Sequence, residues 1–147
     1  MNPSDKSFSD NPTEKNLFAT PNKPQTQVDE PSVQAVDASK LVKRSGLIYE
    51  RDSETPFTGV MVKNHENRQK EKEATYKDGK QDGLATTWYE NGQKRVEGHH
   101  KNNMEVGVWK GWFPNGQKQI EDYYEEGQRT GLRIEWYENG QKKEEGN

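Results

Sequence analysis

The stretch Trp88-Tyr89-Glu90-Asn91-Gly92-Gln93-Lys94 returns as Trp112-Phe113-Pro114-Asn115-Gly116-Gln117-Lys118 and again as Trp136-Tyr137-Glu138-Asn139-Gly140-Gln141-Lys142. The step between Gly92, Gly116 and Gly140 is 24 residues, and Gly83, Gly107 and Gly131 keep the same step. A fixed period of this size means one small unit stacked on copies of itself. Stacked repeats build extended surfaces more readily than enclosed catalytic pockets.

Working outward, Gly59 lies one step before Gly83, so a first, degenerate unit begins there. The units are 59–82, 83–106, 107–130 and 131–147, the last stopping partway. Each carries two turn signals. One is Asn-Gly, the strongest short-range hairpin cue. The other is Lys77-Asp78-Gly79-Lys80, matched by Glu125-Glu126-Gly127-Gln128. Two turns per unit leave two strands of about 6–8 residues, an ordinary strand length. No window has helical spacing. The expected fold is all-β: an elongated, single-sheet antiparallel meander of 24-residue hairpins with about nine strands, preceded by a disordered N-terminal tail.

The faces follow from the turn. A three-residue loop, Glu90-Asn91-Gly92, with Gly92 left-handed in a G1 bulge, pairs Tyr89 with Gln93, Trp88 with Lys94 and Thr86 with Val96. That register gathers Leu84, Trp88 and Val96 on one side, followed by Val108, Trp112 and Ile120, then Leu132 and Trp136. These eight residues are the expected repeat core, with Asn91, Gly92, Asn115, Gly116, Asn139 and Gly140 forming the turns. The other face is expected to be polar, with Tyr89, Phe113 and Tyr137 in a strip, joined by Trp109, Tyr123 and Arg95. Exposed aromatics beside Arg suit an interface, so these six form the candidate partner surface. In the first unit Asn64 replaces Trp and Arg68 replaces Gly, and Asn67 is expected to take the left-handed turn conformation. Asn103 replaces Gly79 or Gly127 on the same grounds. The charged run Lys142-Lys143-Glu144-Glu145 discourages another chain from adding at the last strand.

Composition narrows the function. Of 147 residues, 27% are hydrophobic and 32% charged, and the mean hydropathy is −1.41, so a thick two-layer core is not expected. Residues 1–38 hold five of the seven prolines among Ser, Asp, Asn, Gln and Lys, a composition that cannot offset chain entropy by burial. This segment reads as a flexible leader, or as a tether to an anchor or another domain. Residues 39–147 form the repeat domain.

The net charge of −3 is well mixed, which argues against nucleic acid and gives an anionic membrane no support. Cysteine is absent, which excludes disulfides and Cys-based zinc sites. His99 and His100 are strand neighbours on opposite faces and cannot readily share a metal. Glu97 and Glu121 recur with the repeat and read as a solvated charged face. No nucleophile elbow, Walker loop or dinucleotide fingerprint occurs, so no enzyme activity, metal or cofactor is expected. No apolar run forms a signal segment, and the expected compartment is cytoplasmic; a periplasmic or lipoprotein-anchored position is the alternative if a leader was removed.

Residues 39–147 resemble the MORN repeat variant family, the YwqK-like bacterial antitoxin group. The resemblance rests on Leu41-Val42-Lys43-Arg44-Ser45-Gly46-Leu47-Ile48-Tyr49, on Pro56-Phe57-Thr58-Gly59-Val60 and on the Trp-Tyr-Glu-Asn-Gly-Gln-Lys units. It implies a twisted meander of hairpins and a non-enzymatic scaffold that binds another protein, with an antitoxin-like neutraliser as the specific form and a toxin as the partner. A phospholipid-associated module is the alternative.

Overall fold

The structure, a computed structural model, describes residues 34–143. The expected tail therefore lies outside the described residues as far as Val33, as do 144–147 at the end of the last unit. Residues 34–38, counted with the tail on composition, contain the first strand.

Ten strands occur in the order β1 (Val36–Asp37), β2 (Leu41–Arg44), β3 (Leu47–Glu50), β4 (Gly59–Asn64), β5 (Lys70–Lys77), β6 (Lys80–Trp88), β7 (Lys94–Lys101), β8 (Met104–Trp112), β9 (Lys118–Glu125) and β10 (Gln128–Glu135). A single 3-10 turn at Ala38–Lys40 is the only helical element among the described residues. Strands β4 to β10 form the expected meander, each antiparallel to the next. Two features were not anticipated. β1 adds in parallel to β4, pairing Val36 with Met61, and β2–β3 form a separate two-stranded sheet.

The turns at Ser45-Gly46, Asp78-Gly79, Asn102-Asn103 and Glu126-Gly127 each place both residues at positive φ, the two-residue hairpin whose twist matches its strands. Asn103, at φ 70°, takes the left-handed role as expected. The Asn-Gly turns are the three-residue loops anticipated: the Gly92 N–H donates to Tyr89 O at 3.0 Å, the Tyr89 N–H to Gln93 O at 2.9 Å, and Trp88 pairs with Lys94. In the first unit it is Arg68, at φ 72°, and not Asn67, that occupies the left-handed position. The loop keeps its shape with the same bond, Arg68 N–H to His65 O at 2.9 Å, so tertiary context overrides the residue's own preference.

Beyond the turn the expected register fails. After Trp88↔Lys94 the next pairs are Thr87↔Val96 and Thr86↔Glu97, so one extra residue is inserted after Lys94. The same slip follows Trp112↔Lys118, where Gly111 meets Ile120, and Asn64↔Lys70, where Lys63 meets Lys72. A bulge of one residue moves every later side chain to the other face. Val96 and Ile120 therefore lie opposite the indoles, and Glu97 and Glu121 join them.

One buried cluster exists among the described residues: Phe57, Met61, Ala74, Tyr76 and Ala85, with Val36, Ala38, Leu41 and Ile48 packed against it. Met61, Ala74 and Ala85 are successive partners on one face, and the β2–β3 hairpin covers that face. Backbone bonds from Ile48 N–H to Gly79 O (2.9 Å) and from Gly79 N–H to Phe57 O (2.8 Å) fix the cover to the β5–β6 turn. Burial of Tyr76 against Phe57, ring centres 5.8 Å apart, pushes its phenol pKa up.

Candidate functional site: the indole face and its turn column

Trp88, Trp112 and Trp136 end strands β6, β8 and β10 or follow them directly, and all three are half-buried. Each lies under the ammonium of a lysine from the preceding unit. Lys70 is 5.3 Å from the Trp88 ring centre, Lys94 5.8 Å from Trp112 and Lys118 5.1 Å from Trp136. Each lysine also meets a glutamate three residues on: Lys70–Glu73 at 2.7 Å, Lys94–Glu97 at 2.7 Å and Lys118–Glu121 at 3.0 Å. In a regular strand residues i and i+3 face opposite sides; the bulge is what puts them together. Thr86, itself buried, donates to Glu97 at 3.3 Å. The Lys94 bond, with help from Thr86, holds the Glu97 carboxyl below its ordinary range against the opposing effect of burial. The indoles thus join adjacent units through lysine stems and ion pairs at a partly wet surface.

The aliphatic members of the expected core do not share this position. Leu84, Val108 and Leu132 are 40%, 44% and 51% exposed, and Tyr123 is 44% exposed. Leu84 pairs with His99 and Val108 with Tyr123, so these residues form a row across β6 to β10 beside the indole ladder. Four strand spacings separate Leu84 from Leu132, roughly 19 Å. With nothing among the described residues packed over this face, these side chains meet solvent.

The turns form a second ladder. The Asn67 amide donates to Glu90 O at 2.9 Å, Asn91 to Pro114 O at 2.8 Å and Asn115 to Glu138 O at 3.0 Å. Each asparagine's Oδ1 accepts the N–H of the glutamine two residues on, at 2.9 Å. Each glutamine side chain then lies over the next turn: Gln93 Oε1 is 3.1 Å from where a Cβ at Gly116 would stand. The motif Asn-Gly-Gln is thus a link between turns as well as a turn. A third rung uses the residue before the loop. His65 Nε2 is 2.9 Å from Trp88 O, and the Tyr89 hydroxyl donates to Trp112 O at 2.6 Å.

The six residues of the expected partner surface therefore fall in three places. Tyr89 and Phe113 are half-buried in the turn column, with Arg95 stacked 5.8 Å from the Tyr89 ring; Tyr137 ends that column and is 52% exposed. Tyr123 is on the indole face. Trp109 is on the opposite face, edge-on to His100 (5.0 Å) and Tyr124 (6.1 Å), donating from Nε1 to His99 O at 3.2 Å. Its ring lies against Gly98. Beside it Asp122, buried, takes two bonds from Arg133 at 2.9 and 2.8 Å, which raise the arginine's pKa.

The hairpin around each Asn-Gly turn, from the even strand to the odd one, is the structural unit that recurs. Residues 81–102, 105–126 and 129–147 match the MORN repeat variant. The first two MORN-variant segments span β6–β7 and β8–β9; the third begins in β10. Residues 59–80 of the first unit, with Asn64 for the indole and Arg68 for the turn glycine, fall outside the matched segments. Neither curated proteins nor solved structures gave a match to the chain.

Proposed function

We propose that this chain is a non-enzymatic repeat scaffold that binds another protein through its indole face. The observation that carries the reading is the row Leu84, Val108, Tyr123 and Leu132, exposed at repeat spacing in a chain that is only 27% hydrophobic. A chain so poor in apolar residues places four of them in water on one face, and such a row is a docking surface in the making. The flanking Lys–Glu pairs are already matched, so they supply a polar rim and little net field. The MORN-variant segments agree with a binding module. An antitoxin-like neutraliser is the specific form proposed, with a toxin as the partner.

The test is a Leu84→Ser, Val108→Ser, Leu132→Ser variant, compared with the parent protein in affinity purification from the native cell. The variant should keep the circular dichroism of the parent and lose a partner the parent recovers. Unchanged recovery of every partner would reject the indole face. Flotation of the protein with anionic liposomes, in place of protein recovery, would favour the phospholipid-associated module.

A further inference from the structure

The heptapeptide Trp-Tyr-Glu-Asn-Gly-Gln-Lys occurs twice with identical sequence, at 88–94 and at 136–142. Asn-Gly is the peptide step most open to succinimide formation, because glycine puts no side chain in the way of the attacking nitrogen. The Gly140 nitrogen, once deprotonated by hydroxide, adds to Asn139 Cγ. The new C–N bond closes a five-membered ring, the Cγ–Nδ2 bond breaks and the side-chain nitrogen leaves as ammonia. Water then opens the ring at either carbonyl, giving aspartate or isoaspartate and one added negative charge.

The local geometry of the two copies agrees. Gly92 and Gly140 donate to the tyrosine carbonyl three residues back at 3.0 and 2.9 Å, and both asparagine Oδ1 atoms accept from a glutamine N–H at 2.9 Å. They differ at Nδ2. Asn91 is bound to Pro114 O of the next turn at 2.8 Å, and Asn115, in the third Asn-Gly step, to Glu138 O at 3.0 Å. Among the described residues Asn139 Nδ2 reaches only its own neighbour, Gln141 Oε1, at 3.4 Å. Cyclisation requires the side chain to turn until Cγ faces the glycine nitrogen. At Asn91 and Asn115 that turn breaks a bond to the next unit; at Asn139, among the described residues, it breaks only the 3.4 Å bond to Gln141 within its own loop.

We propose that Asn139 is a site of spontaneous deamidation, and that Asn91 and Asn115 are protected by the turn ladder. Loss of one ordinary hydrogen bond corresponds to about a five- to tenfold rate difference. The experiment is incubation of the full chain in mildly alkaline buffer, followed by peptide mapping with mass spectrometry that separates aspartate from isoaspartate at each site, with a parallel incubation in urea. The expected result is conversion at Asn139 about five- to tenfold faster than at Asn91 in the folded protein, with the two rates converging in urea. Equal rates in the folded protein would overturn the proposal, and so would a difference that persists in urea, since that would place its origin in flanking sequence.

Discussion

The slot that holds Ala74 on β5 holds Gly98 on β7 and Asp122 on β9; the residue that meets it from the following strand is Ala85, then Trp109, then Arg133. Where the β2–β3 hairpin covers the face, small apolar residues fill the slot, and Ala74 has no exposure at all. One unit further on, an indole lies flat over a glycine and serves as its own cover. In the last unit a bidentate ion pair takes the place. Among the described residues no apolar side chain beyond Ala85 is buried. One hairpin unit is thus held in two ways. Hydrophobic burial dominates at the N-terminal end, and lateral links between neighbours dominate after it. In an approximately one-dimensional stack each interface can be stabilised by different chemistry, provided the step is kept.

The sharpest way to break this distinction is to truncate one aromatic from each region. Phe57→Ala empties the covered cluster and is expected to cost about 3–5 kcal/mol in urea unfolding. Trp136→Ala, at a half-buried site, should cost roughly half of that; equal losses would show that the two ends do not differ. Gly98→Ala comes next. A Cβ there would stand 2.1 Å from Trp109 Cδ2, so the indole must leave its seat, at about 1–3 kcal/mol. Near-ultraviolet circular dichroism should change with it; an unaltered spectrum and stability would remove the indole's covering role.

A smaller effect separates two tyrosines in the turn column. Tyr89→Phe deletes the bond to Trp112 O and should cost about 1 kcal/mol, whereas Tyr137→Phe should lie within about 0.5 kcal/mol of the parent. Equal costs would mean the hydroxyl rung contributes nothing. The smallest effect is expected from pH. Burial, foremost, lowers the pKa of His100 from its ordinary value of 6.5, with Lys72 and His99 acting the same way and Glu105 opposing them; Trp109 meets its ring edge-on. The unfolded chain therefore takes up the proton first as pH falls. The contribution of this residue is complete above 6.5 and declines as pH drops from there toward the lower folded value. His100→Phe should flatten the fall in urea midpoint across that window; an unchanged slope would assign it to other groups.

Much of this was legible in the sequence because it is local. The 24-residue step gave the meander, and Asn-Gly and Asp-Gly gave both kinds of turn, down to Asn103 at positive φ. The one-residue bulge after Lys70, Lys94 and Lys118 breaks the strict alternation expected of a strand, and so takes Val96 and Ile120 away from the indoles and sets Tyr123 and Trp109 on opposite faces. A signal for it was present: Lys70/Glu73, Lys94/Glu97 and Lys118/Glu121 recur at i,i+3, a spacing that a regular strand cannot pair. The strand character of Leu41–Arg44 and Leu47–Glu50 was visible, but their docking over Met61 and Tyr76 is a long-range choice that no local pattern encodes. For the candidate site the recurrence of Leu84, Val108 and Leu132 is legible and points to a core, because apolar residues in an apolar-poor chain are expected to bury. Among the described residues no second layer covers this face of the repeats, so these side chains have no partner to bury against.

The links of the turn column all run one way. Asn67, Asn91 and Asn115 each reach forward to the following unit, as do His65 and Tyr89. A whole hairpin could be duplicated or excised between Gln81 and Gln128 and every donor would still meet a carbonyl at the same offset. Removing two residues would misalign the donors whose links cross the deletion. Changes of length that keep the column intact therefore come in steps of one 24-residue unit.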